Sequence, residues 1–334
     1  MSKISLAIDF GSSETVIYVI GSGIVLSEPT VLAVGNDKYR EIKAFGAEAK
    51  RLVGKTAENT KVVFPVFHGD IVNEIFAKEL LKYFFDKIEI RKYDNVQAIF
   101  SVPTGIDVDM LRKYKKLATG VGINKVSFVE APVLSAVGQQ IPLTDYTPYF
   151  IVDMGGGTTN IAAVSLDGII AGLSMNIGGS DIDAGIMDYV AEQYNLQIGR
   201  LTAEKIKISV ASLLKKDVSQ ALVNGRDIST GRPRSMNLLA PDILTPVKSY
   251  FDKVAEFVTA VLSKLPAEVS AEIRHSGIYL SGGLSKIAGI EEYYEQKFAM
   301  KVNVCENPET AIVLGGGMVL GNKELVNRLK VNLD

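Results

Sequence analysis

One loop pattern occurs twice in this chain, with its two aspartates 144 residues apart: Ile8-Asp9-Phe10-Gly11-Ser12-Ser13-Glu14-Thr15 and Val152-Asp153-Met154-Gly155-Gly156-Gly157-Thr158-Thr159-Asn160. Each copy follows an apolar run (residues 4–8 and 149–152) and precedes another (16–20 and 161–165), which predicts that each loop is the tip of a β-hairpin. Glycine at such a tip lets backbone N–H groups approach phosphate oxygens closely. An Asp at the end of each leading strand would then face a shared Mg²⁺ through water, because Mg²⁺ at phosphate sites keeps several waters and takes few carboxylates. A single Asp-apolar-Gly turn is common and says little. Two of them constrain the chain to two related α/β halves whose hairpins face one another as a nucleotide clamp.

Two more glycine-rich segments follow. Gly277-Ile278-Tyr279-Leu280-Ser281-Gly282-Gly283-Leu284-Ser285 is expected to offer flat backbone to an adenine ring, and Gly315-Gly316-Gly317 lies ahead of the C-terminal stretch. A length of 334 residues with 47% hydrophobic content suits two compact domains. The net charge of −2 gives no electrostatic footprint for nucleic acid. The single cysteine, Cys305, excludes an internal disulfide, suits a reducing cytoplasm and reads as a small buried apolar residue. No stretch approaches the ~20 apolar residues of a membrane-spanning helix, and the first strand is expected so early that a signal peptide has no room.

Periodicity predicts a β-meander up to Val34, then a polar, helix-prone region over 35–61. Helices are predicted over 70–88, 107–120, 132–139, 181–194, 203–215 and 244–265, with strands over 96–102 and 124–129 and a strand pair within 218–235. Pro142 to Pro148, with Asp145 between them, reads as a hinge. The basic cluster Arg112, Lys113, Lys115 and Lys116 reads as a solvated face.

The four glycine-rich segments, with Glu130-Ala131-Pro132 between the two phosphate loops, resemble the actin, sugar kinase and heat-shock chaperone ATPase superfamily. Within it the chain resembles MreB, the bacterial actin, along essentially its whole length. Phe64-Pro65-Val66-Phe67-His68-Gly69-Asp70-Ile71, Ser101-Val102-Pro103-Thr104-Gly105, Gly155-Gly156-Gly157-Thr158-Thr159, Gly178-Gly179-Ser180-Asp181-Ile182-Asp183 and Ala203-Glu204-Lys205-Ile206-Lys207 carry the likeness. It implies an actin-type α/β fold of two domains, each a mixed β-sheet flanked by helices with a smaller subdomain, and nucleotide in the cleft between them. The expected partition is 1–142 with 309–334 for domain I (small subdomain about 32–65) and 143–308 for domain II (small subdomain about 178–245).

By the same resemblance, ATP would be held by Gly11, Ser12, Ser13 and Glu14 from the first loop and by Gly155, Gly156, Gly157 and Thr158 from the second. Gly179 and Asp181, then Glu204, Lys205 and Lys207 toward ribose and adenine, then Gly282, Gly283, Leu284 and Ser285, complete the expected site. Spacing alone would instead pair Glu204 with Lys207 on a helix surface. Asp9 and Asp153 are the expected metal residues, and Asp153 and Glu130 the expected catalytic ones.

Three positions depart from the family. Glu14 stands where MreB proteins usually carry Asn, so its side chain is expected to turn outward or sit near the cation. Ala131 occupies the place of the water-orienting Glu before Pro, and Asn160 replaces a Glu after the Thr-Thr pair. Losing an orienting group costs a factor of ~10² to 10⁴, so slow ATP hydrolysis is expected, with Glu130 a poor substitute and His68 expected on the far side of the subdomain from the phosphates.

The resemblance implies a cytoplasmic homopolymer filament serving cell shape or motility, similar to the divergent paralogues of wall-less helical bacteria. Other MreB paralogues are further partners, and peripheral contact with the inner face of the membrane is left open, since the amphipathic helix that many MreB proteins carry before the first strand is missing. The alternatives are a small-molecule kinase, which needs a carboxylate base beside a sugar pocket, and a chaperone-like module, which needs a C-terminal substrate domain.

Overall fold

The computed structural model describes residues 3–36, 40–91, 94–144, 146–214 and 216–332. The chain opens with β1 (Lys3–Phe10), β2 (Glu14–Val19) and β3 (Gly23–Pro29), the expected meander. The region over 35–61 is not the helical segment that its polarity suggests. It forms a small sheet of β4 (Leu32–Gly35), β5 (Ile42–Phe45) and β6 (Thr60–Val63), with only the short α1 (Gly46–Arg51) between the last two. Tertiary packing overrides propensity here, because Val31, Ala33 and Ala49 close a local core.

Next, β7 (Val66–Phe67) and β8 (Asp70–Ile71) pair tightly around His68 and Gly69. The helix predicted from Asp70 therefore starts later, as α2 (Glu74–Lys87), where the Asn73 side chain accepts the Phe76 N–H at 3.1 Å. β9 (Asn95–Val102) ends at Pro103, and α3 (Val108–Gly120) is capped by Asp107. β10 (Lys125–Glu130) runs straight into α4 (Ala131–Gly138), with Pro132 in the first turn where a missing N–H costs nothing. The first large sheet has the order β10-β9-β1-β2-β3, with β1, β9 and β10 parallel.

Residues 141–144 and 146–148 belong to no helix or strand, and Asp145 of the predicted hinge lies outside the described residues. The second half then repeats the plan with β11 (Tyr149–Met154), β12 (Thr159–Ser165), β13 (Gly168–Met175), α5 (Gly179–Tyr194), β14 (Leu196–Gln197) and α6 (Arg200–Val210). α6 begins three residues before the prediction, and Lys215, the predicted end, is not described. The polar hairpin of β15 (Gln220–Asp227) and β16 (Pro233–Leu239) precedes α7 (Leu244–Leu262), α8 (Ala267–Ser276), β17 (Ile278–Ser281), α9 (Ile290–Phe298) and β18 (Val302–Val304). The second large sheet has the order β13-β12-β11-β17-β18. β11 and β12 are buried along their whole length, as a central strand of near-continuous apolar residues requires. Cys305, just past β18, is half-buried and not the enclosed residue expected.

Gly315-Gly316-Gly317 is helical. It lies inside α10 (Ala311–Leu320), which packs on β1 and β9 and so returns the C-terminal end to the first sheet, followed by α11 (Lys323–Leu329). A core of Ile99, Val129, Leu134, Ile151, Ala162 and Val319 joins strands of both sheets with α4 and α10.

The α4–α10 crossing needs its glycines. A Cβ on Gly138 would stand 1.8 Å from the Ala311 carbonyl oxygen, and one on Gly315 1.9 Å from that of Leu134. Gly138→Ala and Gly315→Ala are each expected to lower unfolding free energy in urea titrations by roughly 1–3 kcal/mol through overpacking. Because they split one contact, the double variant should lose less than the sum.

Candidate functional site

The two hairpin tips meet. The Gly11 N–H donates to the Glu14 carbonyl at 3.0 Å, and the Gly155 N–H to the Thr158 carbonyl at 2.9 Å, so the loops close by the same turn. They approach so closely that a Cβ on Gly156 would lie 2.0 Å from Ser13 Oγ, and one on Gly157 2.7 Å from Ser12 Oγ. Only glycine backbone fits at those two positions. Between and behind the tips is a cleft of about 480 Å³, well within the roughly 300–1,000 Å³ of small-molecule sites.

The cleft gathers residues from distant parts of the chain. Asp9, Gly11, Ser12, Ser13 and Glu14 line it from the first half, and Asp153, Gly155, Gly156, Gly157 and Thr158 from the second. Gly179, Glu204, Lys207, Gly282, Gly283 and Leu284 line it too. Four residues of the expected set are not among its lining. Asp181 accepts the Gly178 N–H at 2.8 Å and so caps α5, Lys205 is exposed on α6, and Ser285 is buried with its Oγ donating to the Gly282 carbonyl at 2.7 Å. Glu130 points away: its Oε1 accepts the Gly105 N–H at 2.7 Å, and burial raises its carboxyl pKa.

The i, i+3 pairing of Glu204 with Lys207 that spacing alone suggests does not form. Lys50 of α1 reaches across to Glu204 at 2.8 Å, while Lys207 pairs with Asp183 at 2.8 Å and donates to the Gly179 carbonyl at 3.0 Å. Glu14 turns to Ser27, whose Oγ donates to it at 2.7 Å. Asn160 works as a strut between the halves, accepting the Thr104 N–H at 3.1 Å and donating to Asp153 Oδ2 at 3.3 Å. A carboxylate could not donate that second bond.

His68 corrects an expectation. It does not lie away from the loops but forms a 2.6 Å hydrogen bond from Nδ1 to the Gly157 carbonyl, which can only accept, so the proton sits on Nδ1. Next to it the Gly69 N–H donates to Ser12 Oγ at 3.1 Å, so one turn is strapped to both phosphate loops. Lys50, Gly69, Ser101, Ala131, Lys286 and Glu309 also line the cleft. Of these, Gly69 and Ser101, within the stretches 64–71 and 101–105, and the position of Ala131 carried a sequence signal.

Asp153 is buried, at 3% exposure, and Asp9 is partly buried beside it; among the described residues no ion pair neutralises either. Burial, helped by the charges of Asp153 and Glu14, pushes the Asp9 carboxyl up to about 6 against the Ser101 hydroxyl that donates to it, and burial raises Asp153 as well. Such a pair fits a divalent cation, whose charge offsets both penalties. No cluster of three or more ligating side chains occurs among the described residues, which agrees with a water-rich shell held by two carboxylates.

The folded protein keeps the Asp9 proton up to about pH 6, whereas the unfolded chain releases it near the ordinary 3.8. Stability without ligand therefore falls as pH rises through that window. Asp9→Asn should remove the fall and raise ligand-free stability at neutral pH by up to about 3 kcal/mol, read from urea titrations between acid and neutral pH.

The family model described as MreB/Mbl protein matches residues 3–328. The cell shape-determining protein MreB of Escherichia coli K12 is 32% identical over 321 residues, covering 94% of this chain and 92% of that protein. The crystal structure of MreB5 of Spiroplasma citri bound to AMPPNP superposes with a TM-score of 0.92 at 27% identity, covering 98% of both chains. The MamK double helical filament shares the fold, with a TM-score of 0.81 at 20% identity over 96% of this chain and 99% of that one. With a matching model over nearly its whole length and a glycine cleft built from both halves, the chain belongs to the MreB/Mbl family of actin-like proteins.

Proposed function

We propose that this chain is an ATP-binding, filament-forming bacterial actin of the cell-shape cytoskeleton whose hydrolysis step is impaired. The observation that carries the reading is the meeting of two glycine phosphate loops, each preceded by an aspartate that lines the same cleft. In this reading the backbone N–H groups of residues 11–14 and 155–158 cradle the phosphates, and Asp9 and Asp153 hold Mg²⁺ through water. The ion supplies charge neutralisation and orients the phosphate chain. The partition into 1–142 with 309–334 and 143–308 belongs to the same proposal, with ligand closing the halves on each other and so favouring the shape that assembles. The expected partners are further copies of the chain and other MreB paralogues, and the expected place is the cytoplasm, with peripheral membrane contact open. Among the described residues no helix is long and apolar enough to cross a membrane.

The kinase alternative finds little support, because Asp9 and Asp153 lie where the phosphate loops converge and neither is free beside a separate sugar pocket. Purified protein with ATP and Mg²⁺ should form filaments in negative-stain micrographs and sediment in a nucleotide-dependent way. A species that stays monomeric across nucleotides and salts would sink the proposal.

Ala131, first residue of α4, lines the cleft with a methyl group, 5% exposed. Glu130 is engaged with Gly105, so no carboxylate replaces the missing one from the adjacent position. Hydrolysis is then limited by placing water in line with the γ-phosphorus and not by binding. Ala131→Glu should raise phosphate release by tenfold or more, about 1.4 kcal/mol of barrier, with little change in ATP affinity. A variant no faster than wild type at saturating ATP would assign the water to another group.

A further inference from the structure

We infer that Ser135 and Ser281 form a directed hydroxyl relay that positions Asp153 and ties the cation site to α4. The inference rests on the ATP and Mg²⁺ reading above. Gln139 Nε2 donates to Ser135 Oγ at 3.0 Å, Ser135 Oγ to Ser281 Oγ at 2.7 Å, and Ser281 Oγ to Asp153 Oδ1 at 2.9 Å. Both serines are fully buried, at 0% exposure.

The end of the chain sets its direction. An ionised carboxylate only accepts, so the one proton of Ser281 is committed to Asp153, and Ser281 must accept from its other neighbour. Ser135 is then committed to Ser281 and accepts in turn from Gln139, an amide that has protons to give. Donors aligned this way in a dry interior polarise one another. Oδ1 is pinned, whereas Oδ2 receives only the longer 3.3 Å bond from Asn160 and keeps capacity for a cation-bound water.

The two carboxylates are wired differently. Asp9 takes its hydroxyl from Ser101 on β9, within the same sheet. Asp153 likewise takes its own from Ser281 on the neighbouring strand β17 of its sheet, but that hydroxyl is in turn bonded by Ser135 of α4. This helix follows the other sheet, starts at cleft-lining Ala131 and leads toward residues 141–144, which belong to no helix or strand. Clamped on α10 by the Gly138–Gly315 contact, α4 cannot yield locally, so its placement is passed to Asp153. Ser135 and Ser281 are positioning residues, and neither lines the cleft.

The test is calorimetry of ATP binding to the full chain with Mg²⁺ and with EDTA, for wild type, Ser281→Ala, Ser135→Ala, the double variant and Ser281→Cys. The ratio of the two affinities isolates the cation. For Ser281→Ala it should shrink about tenfold, the lower end for loss of an outer-shell partner. Ser135→Ala, one bond further out, should cost about threefold, the double variant should be no worse than Ser281→Ala, and the thiol should restore part of the loss. Affinity in EDTA and the thermal midpoint without ligand should hold. An unchanged ratio, an equal loss with and without Mg²⁺, or additive losses in the double variant would overturn the relay while leaving ATP binding intact. Wild type without ATP affinity in either buffer would instead remove the nucleotide reading and the relay with it. If Ser281→Ala fails to fold, Ser135→Ala alone decides by the same ratio.

Discussion

Asp9 and Asp153 are carboxylates placed by equivalent strand ends into one cleft, the first partly and the second fully buried, where the charge of Asp153 adds to the cost of ionising Asp9. A fold that gains stability from burying its strands has to accept this penalty at the point where the two sheets present their first hairpins. The geometry around them is arranged to keep the charges in place: Ser101 donates to Asp9, and Ser281 and Asn160 donate to Asp153. Strain of this sort is tolerated where a ligand relieves it, and it marks the cleft as a functional site more firmly than volume does.

Around that pair, and apart from the apolar core that α4 and α10 share with both sheets, the two halves are joined by polar contacts. His68 reaches Gly157, Thr104 reaches Asn160, and Lys50 reaches Glu204. Each joins a residue from the first half of the chain to one from the second, and none is a large apolar surface. Polar struts can be exchanged for ligand contacts or water at little net cost, whereas the α4–α10 crossing, built on carbonyl-to-glycine contact, cannot. Opening of the cleft is therefore expected to part the struts and leave that crossing intact.

The departures from the family's residues acquire a physical meaning in this setting. Asn160 bonds in both directions, which a Glu cannot do, and Glu14 is drawn to Ser27 and away from the loop it interrupts. Ala131 has no compensating neighbour, since Glu130 holds the Gly105 backbone. In the proposed reading the chain keeps the means to grip a nucleotide and lacks a polar group at the place where water would be oriented.

Much of this was legible in the sequence, because it depends on local chemistry. Alternating apolar runs around Asp-apolar-Gly loops specify the two hairpins, Pro103 and Pro132 specify where a strand stops and a helix starts, and the doubled pattern specifies two related halves. Other features had no local signal. The polar residues 35–61 became a sheet through tertiary packing, and the glycines of Gly315-Gly316-Gly317 fit α10 closely against the Leu134 carbonyl of α4, Ala7 and Tyr18. Glu204 and Lys207 lie at helical spacing, yet each found a better partner from elsewhere in the fold, and Asp181 and Ser285 turned to backbone groups beside them. His68 was read as distant from the phosphate loops and instead bonds one of them. Sequence determined most of the elements and the two glycine hairpin tips with their aspartates, since those follow from neighbours along the chain. Which side chains share a hydrogen bond across the cleft was decided only by the tertiary structure, because those partners stand 56 to 154 residues apart and nothing local records their approach.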